Sequence, residues 1–274
     1  MTDEQLFFGV AEPLWRLAAF TAAFAALAVL ELSHPRLERP ELARMLKSRR
    51  WATNLAIFVA SSVLLRIAFP AAAVGVAIWA EARGIGILPA FAVTPLLGGI
   101  IAFVALDFAV WLEHVVFHKV PLLWRVHRVH HSDPGVDVTT ALRFHPLEIL
   151  LSMIWKGLVI ILLGAPALAV LIFEIVLNAC AMFNHANLRL PGKADRFLRW
   201  VIVTPDMHRI HHSVERGETD SNYGFNLSIW DRLFATYVAH PASGEDGIET
   251  GLKAYGRVDP TKLVWSLILP FRRK

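Results

Sequence analysis

The stretch 147–183, LEILLSMIWKGLVIILLGAPALAVLIFEIVLNACAMF, is a long and mainly apolar run. A helix that crosses a bilayer needs about 20 mainly apolar residues, so this run is long enough for two crossings. Gly164-Ala165-Pro166 stands near its middle and is typical of a turn. The run therefore predicts a transmembrane helical hairpin.

Three more apolar stretches precede this hairpin. Residues 14–32 and 86–112 are each long enough for one span. Residues 52–80 are also long enough, but Arg66 and Pro70 interrupt them, which predicts a helix to about Arg66 followed by a kinked or irregular remainder. The fold class expected is an all-α integral membrane bundle of four to five spans.

The composition agrees with a membrane protein. The 274 residues are 55% hydrophobic and 18% charged, whereas an ordinary soluble domain is nearer half apolar and a quarter charged. Cys180 is the one cysteine, which excludes a disulfide framework and a cysteine-based zinc finger. The start, MTDEQLFFGVAEP, lacks a basic n-region and a small-residue cleavage site, so we expect the first span to be retained.

Lysine and arginine in short loops predict the orientation. The opposite side of the membrane would hold only Arg16 and Arg83, so the basic loop 33–51 should be cytoplasmic and the N-terminus outside. Six cations lie in that loop: Arg36, Arg39, Arg44, Lys47, Arg49 and Arg50. Residues 113–146 and 184–274 are then cytoplasmic too. The topology accounts for the net charge of +4, so nucleic-acid binding is not expected.

These predictions divide the chain into two parts. Residues 1–112 carry the N-terminal spans. Residues 113–274 carry the hairpin at about 147–183 and a polar cytoplasmic cap, which includes a short apolar stretch near 263–271. The second part also holds most of the histidines.

Ten of the twelve histidines fall between His114 and His212, in repeated patterns. Nine of the ten stand in His114-xxx-His118, His127-xx-His130-His131, His185 within NHAN, and His208-xx-His211-His212, and the tenth is His145. Histidines at i, i+3 and i+4 share a helical face, so each motif can aim two or three imidazoles at a common point. The predicted topology brings all of these motifs to one side of the membrane. The spacing alone therefore predicts a metal site.

Eight or nine histidines exceed what one ion takes, which favours two neighbouring metals. Imidazole suits iron, zinc, copper and nickel alike, so the ligand type does not name the metal. His145, in RFHPLE at the mouth of the fourth span, could be a ligand or could fix a loop through a hydrogen bond. His34 and His240 stand alone and are expected to be ordinary loop residues.

Carboxylates and amides near the motifs could accept the second ring N–H of a ligating histidine and fix its tautomer. Helix caps and surface charges are the alternative roles for such residues. Asp107 lies two helical turns before His114 on nearly the same face, and Asp206 could equally be the N-cap of the last motif helix. The candidates are Asp107, Glu113, Asp133, Glu148, Asn184, Asn187, Asp206, Asp220 and Asp231.

The motifs with their flanking residues resemble the fatty acid hydroxylase and sterol desaturase superfamily of membrane histidine-motif di-iron oxygenases. The segments that carry the resemblance are WLEHVVFH, LWRVHRVHHS, RFHPLE, NHANLRLP, TPDMHRIHHS and DSNYGFNLSIWDRLFATY, from about Asp107 to Tyr237. One departure is Ala235 in LFATY, where glycine is usual. It lies away from the histidines, so it puts little in doubt.

The resemblance implies an integral membrane oxidoreductase with a non-haem centre of two iron ions at the cytoplasmic face. Such a hydroxylase, monooxygenase or desaturase uses dioxygen and electrons from an external donor protein to oxidise a lipid substrate. No haem or flavin motif is present to supply those electrons. The residues that match the superfamily's metal ligands are His114, His118, His127, His130, His131, His185, His208, His211 and His212.

Two other functions fit the histidine pattern less well. A histidine-rich metal-binding or transport protein would place its ligands along a path inside the spans, whereas these lie at span ends and in the cap. An intramembrane metalloprotease would need HExxH, which the chain lacks. The basic residues Lys119, Arg125, Arg128, Arg189, Lys193, Arg196 and Arg199 could dock an acidic electron carrier, although the positive-inside bias explains them as well.

Overall fold

The computed structural model describes residues 6–7, 10–37, 41–255 and 261–272. A short antiparallel pair, β1 (Leu6–Phe7) and β2 (Val10–Ala11), precedes the first helix, and the fold is otherwise helical in these ranges. The helices are α1 (Glu12–Ser33), α2 (Glu41–Ala68), α3 (Ala72–Glu81), α4 (Ile87–Ala90), α5 (Pro95–Lys119), α6 (Pro121–His131), α7 (Pro146–Leu163), α8 (Ala167–His185), α9 (Gly192–Leu198), α10 (Pro205–His211), α11 (Arg216–Thr219), α12 (Ile229–Leu233) and α13 (Leu263–Ile268). Short 3-10 turns lie at Thr140–Leu142, Lys253–Tyr255 and Leu269–Phe271.

Five helical segments among the described residues are long and apolar enough to cross a membrane. They are Pro13–Ser33, Ser48–Glu81, Pro95–Lys119, Pro146–Leu163 and Ala167–His185. The predicted all-α bundle with four to five spans is thereby confirmed, at five.

The second span is interrupted where proline predicted it, but its remainder is not irregular. Helix α2 ends at Ala68, because Pro70 has no N–H to donate and its ring clashes with the carbonyl four residues earlier. Arg66 caps the break by donating to the Pro70 carbonyl at 3.0 Å. The chain then resumes as α3 and runs for ten more residues.

The predicted bounds of the third span, 86–112, were wrong at both ends. The short α4 and a turn occupy its first residues, and α5 begins only at Pro95 and continues to Lys119. Proline disfavours the helical conformation in the residue before it, so Pro121 fixes the end at Val120. His114 and His118 therefore lie one turn apart in the last turns of a continuous helix.

The predicted hairpin is formed by α7 and α8, which turn at Gly164 (φ 66°). Gly86 (φ 123°) lies directly against this turn, and a Cβ on Gly86 would lie 2.1 Å from the Gly164 nitrogen. The apolar core beside the turn is built from α3, α5, α7 and α8. Its fully buried side chains include Ala73, Ala77, Leu106, Ile160, Val170 and Phe173.

The predicted basic loop is partly helical, because α2 already begins at Glu41. Two of its cations form ion pairs with the cap: Arg36 with the half-buried Asp206 (Nε to Oδ1, 3.1 Å) and Arg50 with the buried Asp133 (Nε to Oδ1, 2.6 Å). Arg50 also pairs with Asp137. Arg39 lies outside the described residues. These pairs tie the N-terminal spans to the histidine-bearing part of the chain.

The C-terminal apolar stretch is a packed element, since α13 lies against α2 and the following 3-10 turn lies against α6. Arg143 is completely buried beneath it and donates to the Val129 carbonyl (2.9 Å), the Asn54 side chain (2.7 Å) and the Ser266 hydroxyl (2.8 Å). One arginine thereby joins α2, α6 and α13 behind the histidines.

The contact between Gly86 and the hairpin turn leads to a first prediction. Gly86→Ala should lower the free energy of unfolding by at least about 3 kcal/mol, because the methyl group meets backbone and φ stays in a region that favours glycine. Gly84→Ala is the matched control, since Gly84 also has a positive φ (62°) but nothing within 4 Å of an added Cβ. It should cost only about 1–2 kcal/mol. Thermal unfolding in detergent measures both, and equal losses would contradict the close approach.

Candidate metal centre

Nine histidines meet where α5, α6, α8 and α10 come together, and each exposes 5% or less of its surface. They are the nine that the motifs singled out: His114, His118, His127, His130, His131, His185, His208, His211 and His212. Residues almost a hundred positions apart thus share one buried site.

The nine side chains form two groups that could each hold a metal ion, and within a group the candidate ligand atoms lie within 4.8 Å of one another. The first group is His114, His118, His127, His131 and His211. The second group is His130, His185, His208 and His212. The groups are in contact, since the rings of His131 and His212 lie 4.6 Å apart between centroids.

Each HxxHH triplet is divided between the two groups rather than aimed at one point. Helical residues at i and i+4 differ by about 40° around the axis, whereas i+3 and i+4 differ by about 100°. His127 and His131 accordingly join the first group and His130 the second. The last motif is divided in the opposite way, with His208 and His212 in the second group and His211 in the first. The expectation that each motif aims two or three imidazoles at a common point holds with two, because the i, i+4 pair shares one group and the third histidine joins the other.

The outer nitrogens of four histidines have acceptors that fix the ring tautomer. His114, His185 and His211 donate from Nδ1 to the carbonyls of Tyr223 (2.7 Å), Ala181 (2.6 Å) and Ser221 (2.7 Å) respectively. His127 donates from Nδ1 to Glu148 Oε1 at 2.6 Å. In these four rings the proton lies on Nδ1, so Nε2 presents a lone pair to the interior of the site.

The distances between inner nitrogens fit metal ions. The Nε2 atoms of His114 and His127 face each other at 3.1 Å, although both present lone pairs and cannot hydrogen bond together. His185 Nε2 lies 3.1 Å from the Nε2 atoms of His130, His208 and His212. Two nitrogens bound 2.1 Å from one ion at a right angle lie about 3.0 Å apart. A cation in each group would thus satisfy nitrogens that otherwise repel.

The electrostatics keep the cap imidazoles in the form that binds metal. Burial lowers the pKa of His127 to about 3. Burial, followed by repulsion from neighbouring imidazoles, lowers the pKa of the other cap histidines well below the ordinary value; these are His130, His131, His208, His211 and His212. All six are therefore neutral at pH 7.

Of the predicted carboxylate and amide partners, Glu148 hydrogen bonds to a histidine of the site. Asp107 accepts from Trp230 Nε1 (2.7 Å), so its predicted pairing with His114 was wrong. Asp206 pairs with Arg36 and does not cap α10, so the predicted N-cap was wrong as well. Asp220 lies 3.5 Å from His118 Nδ1, too far for a good hydrogen bond, and pairs with Lys119. The other candidates contact non-histidine partners: Asp133 with Arg50, Asn184 with Phe225, Asn187 with Leu37, Asp231 with Trp111, and Glu113 with its α7 neighbours Ser152 and Lys156.

Asp231 acts on the site through the backbone. It accepts from the amides of Tyr223 (2.9 Å) and Gly224 (2.8 Å), and so holds the carbonyl to which His114 donates. Sequence reasoning missed Tyr223 and the other carbonyl partners, because a backbone acceptor leaves no residue signal. Arg143 was missed too, although a cation inside the RFHPLE motif could have drawn attention to it.

The remaining histidines lie outside both groups. His145 accepts from the Leu147 amide through Nδ1 (3.2 Å) and donates from Nε2 to the Leu267 carbonyl (3.1 Å). It is thus the N-cap of α7, with both ring nitrogens engaged, and the hydrogen-bonding alternative is the correct one. His34 and His240 are exposed, as predicted.

With the geometry established, comparison with known proteins identifies the family. The model of the family described as "Fatty acid hydroxylase" matches residues 99–236, half of the chain, and this segment contains all nine histidines. The chain belongs to the fatty acid hydroxylase family. No solved structure matches this chain.

Three named proteins are similar in sequence to this chain. Ornithine lipid hydroxylase OlsE of Rhizobium tropici is 33% identical over 64% of this chain and 50% of its own. The alkylglycerol monooxygenase of Homo sapiens is 30% identical over 50% of this chain and 30% of its own. A cholesterol 25-hydroxylase-like protein of Danio rerio is 26% identical over 47% of this chain and 51% of its own. The matched regions span about half or less of these relatives.

The departure from the family pattern at Ala235 has a structural consequence. Ala235 follows α12 with φ 57°, the left-handed region that favours glycine. The next residue, Thr236, bonds to Asp231 through its amide (2.8 Å to the carbonyl) and its hydroxyl (2.6 Å to Oδ1). Alanine is therefore strained in the turn that supports Asp231.

The interleaving of the motifs can be tested by counting ions. If each group holds one ion, His130→Ala/His208→Ala removes two ligands of the second group only, and about one ion should remain. His130→Ala/His131→Ala removes neighbours in sequence that belong to different groups, so both ions should be weakened. If each HxxHH motif held its own ion, the two results would be exchanged. Elemental analysis of purified protein measures this, with His240→Ala as the control that keeps both ions.

Proposed function

We propose that this protein is a membrane-bound non-haem di-iron oxygenase that hydroxylates or desaturates a lipid. The observation that carries the proposal is that the first histidine group opens onto a mainly apolar cavity between the candidate spans. The cavity measures about 580 Å³ and reaches His114 and His127 of the first group. Its walls come mainly from α1, α2, α5, α7 and α8, with apolar side chains such as Leu17, Phe20, Phe58, Phe117 and Leu177.

The nine histidines are the proposed ligands of two iron ions, and membership of the fatty acid hydroxylase family supports iron over the other metals that imidazole accepts. Iron bound there would supply the oxidising chemistry that activates dioxygen toward an unactivated C–H bond. Hydroxylation places one oxygen atom of dioxygen on the substrate and releases the other as water, with two electrons and two protons consumed. Desaturation would instead remove two hydrogens from the substrate and release both oxygen atoms of dioxygen as water, with the same two electrons and two protons consumed.

The chain's own residues position and protect the site. Glu148 and the carbonyl of Tyr223 hold His127 and His114 with their inner nitrogens toward the metals. Phe144 stacks on His130 with ring centroids 4.3 Å apart, and Phe225 lies 4.9 Å from His114. These aromatic rings exclude water from the side of the site that faces the cavity, so the reactive centre meets the lipid in a dry environment.

A second cavity, of about 590 Å³, also lies against the first group and supports a docking site for an electron donor. It reaches His118 and is lined by Lys119, Arg125, Arg128, Arg216 and Lys253. The Trp124 ring also lines it and lies 4.9 Å from His118 and 5.3 Å from His131. An acidic electron-donor protein fits this basic surface. Of the other predicted docking residues, Arg199 does not line this cavity and pairs with Asp195.

The cytoplasmic location of the site is part of the proposal. The lysine and arginine excess in 33–51 supports it, and Arg49 of this segment is exposed. The relatives' names refer to ornithine lipid, alkylglycerol and cholesterol, which supports a lipid substrate without choosing among them. A transport role is disfavoured because the histidines form two closed groups at the span ends and do not continue as a path.

The proposal is tested by comparing lipid extracts from cells that express the protein or its His130→Ala variant under ¹⁸O₂. The wild type should yield a lipid that gains one labelled oxygen or loses two hydrogens, and His130→Ala should reduce that product at least 100-fold. The exposed variant His240→Ala should keep it. Unchanged lipids together with altered cellular iron or zinc would contradict the oxygenase and favour metal transport.

A further inference from the structure

The cavity that reaches the histidines is not uniformly apolar, because one face of α7 is polar. Glu148, Ser152 and Lys156 follow one another at intervals of four residues, so they form a stripe along one side of the helix, and all three line the cavity. Glu113 of α5 lines the same cavity next to His114, accepts a hydrogen bond from the Ser152 hydroxyl, and interacts electrostatically with Glu148 and Lys156. A lipid slot for hydrocarbon alone would not need these groups.

The two ends of this stripe differ. At the end distant from the metal centre, the charges are paired within the protein: Lys156 Nζ lies 2.6 Å from Glu174 Oε1, and Arg16 lies 3.0 Å from Glu174 Oε2. At the end near the histidines, two carboxylate oxygens are buried without a hydrogen-bond partner among the described residues: Glu113 Oε1 and Glu148 Oε2. Glu148 uses its other oxygen to hold His127.

Two neighbouring acceptors without donors are costly inside a membrane protein, and a bound group that donates hydrogen bonds would remove the cost. We infer that Glu113 and Glu148 bind a polar group of the lipid that carries at least two N–H or O–H donors, a primary ammonium or a pair of neighbouring hydroxyls. This inference rests on the proposed function and names its substrate class. The carbon presented to His114 is then close to the polar group, not deep in the hydrocarbon tail.

Binding of matched probes to the iron-loaded full chain in neutral detergent tests the inference. The first pair is 1-O-hexadecylglycerol and its 2,3-di-O-methyl derivative, which lacks the donors. The second pair is N-hexadecanoylethylenediamine and its N,N,N-trimethyl derivative, which keeps the charge but has no N–H at the head. In the pair whose headgroup the site binds, diol or ammonium, the wild type should bind the donor-bearing probe about 10- to 100-fold more tightly than its methylated partner.

Substitutions at Glu113 assign the preference to this site. Glu113→Leu should abolish it, whereas Glu113→Gln keeps an acceptor and should retain binding of the diol but lose that of the ammonium. Glu81→Leu, at an exposed glutamate, is the matched control and should keep the preference. Metal content is measured in every variant. Should Glu113→Leu fail to fold, the two probe pairs and Glu113→Gln still decide the matter.

The outcomes separate this inference from the proposed function. Equal affinity for both members of each pair in wild type, or a preference that survives in Glu113→Leu, overturns the inference, and the carboxylates then hold only a proton or an ion. Oxidation of methylated and donor-bearing probes alike would overturn it while the oxygenase stands. A preference that depends on Glu113, without oxidation of any probe when electrons and dioxygen are supplied, would support the binding site and contradict the proposed function.

Discussion

The structure depends on burying imidazoles whose inner nitrogens face one another at about hydrogen-bonding distance. His114 and His127 both donate outward, so their inner lone pairs meet at 3.1 Å with no proton between them. Such an arrangement is stable when a cation lies between the rings, and the interleaved motifs make two such places next to each other. The helices, the carbonyl acceptors and the buried ion pairs all serve to hold this arrangement.

Much of that support comes from charged residues in the cap and at the start of α2. Burial alone would raise the pKa of Asp133, but the positive charges of Arg50 and Arg143 outweigh it and lower the pKa to about 2. Asp133 also accepts from Asn54 (3.0 Å) and Thr140 (2.9 Å), so it joins α2 to the loop after α6. A network of this kind fixes the direction of α6. It thereby fixes which helix faces point His127 into the first group and His130 into the second.

The sequence could predict the features that depend on spacing and on local chemistry. The length of the apolar stretches predicted the spans, Pro70 predicted the break in the second span, and Gly164 predicted the hairpin turn. The histidine spacing predicted all nine members of the two groups. What it could not predict depends on tertiary contacts. The division of each HxxHH triplet requires the position of the facing helix, Asp107 and Asp206 have cationic or indole partners distant in sequence, and the strain at Ala235 is visible only from its backbone angle.

If each histidine group holds a metal ion, the two ions lie side by side. The most direct measurement is a structure of the iron-loaded protein with anomalous diffraction recorded at the iron edge. Two peaks are expected, one surrounded by His114, His127 and His211 and the other by His130, His185 and His208. A single peak, or peaks coordinated by residues outside the two groups, would contradict this arrangement.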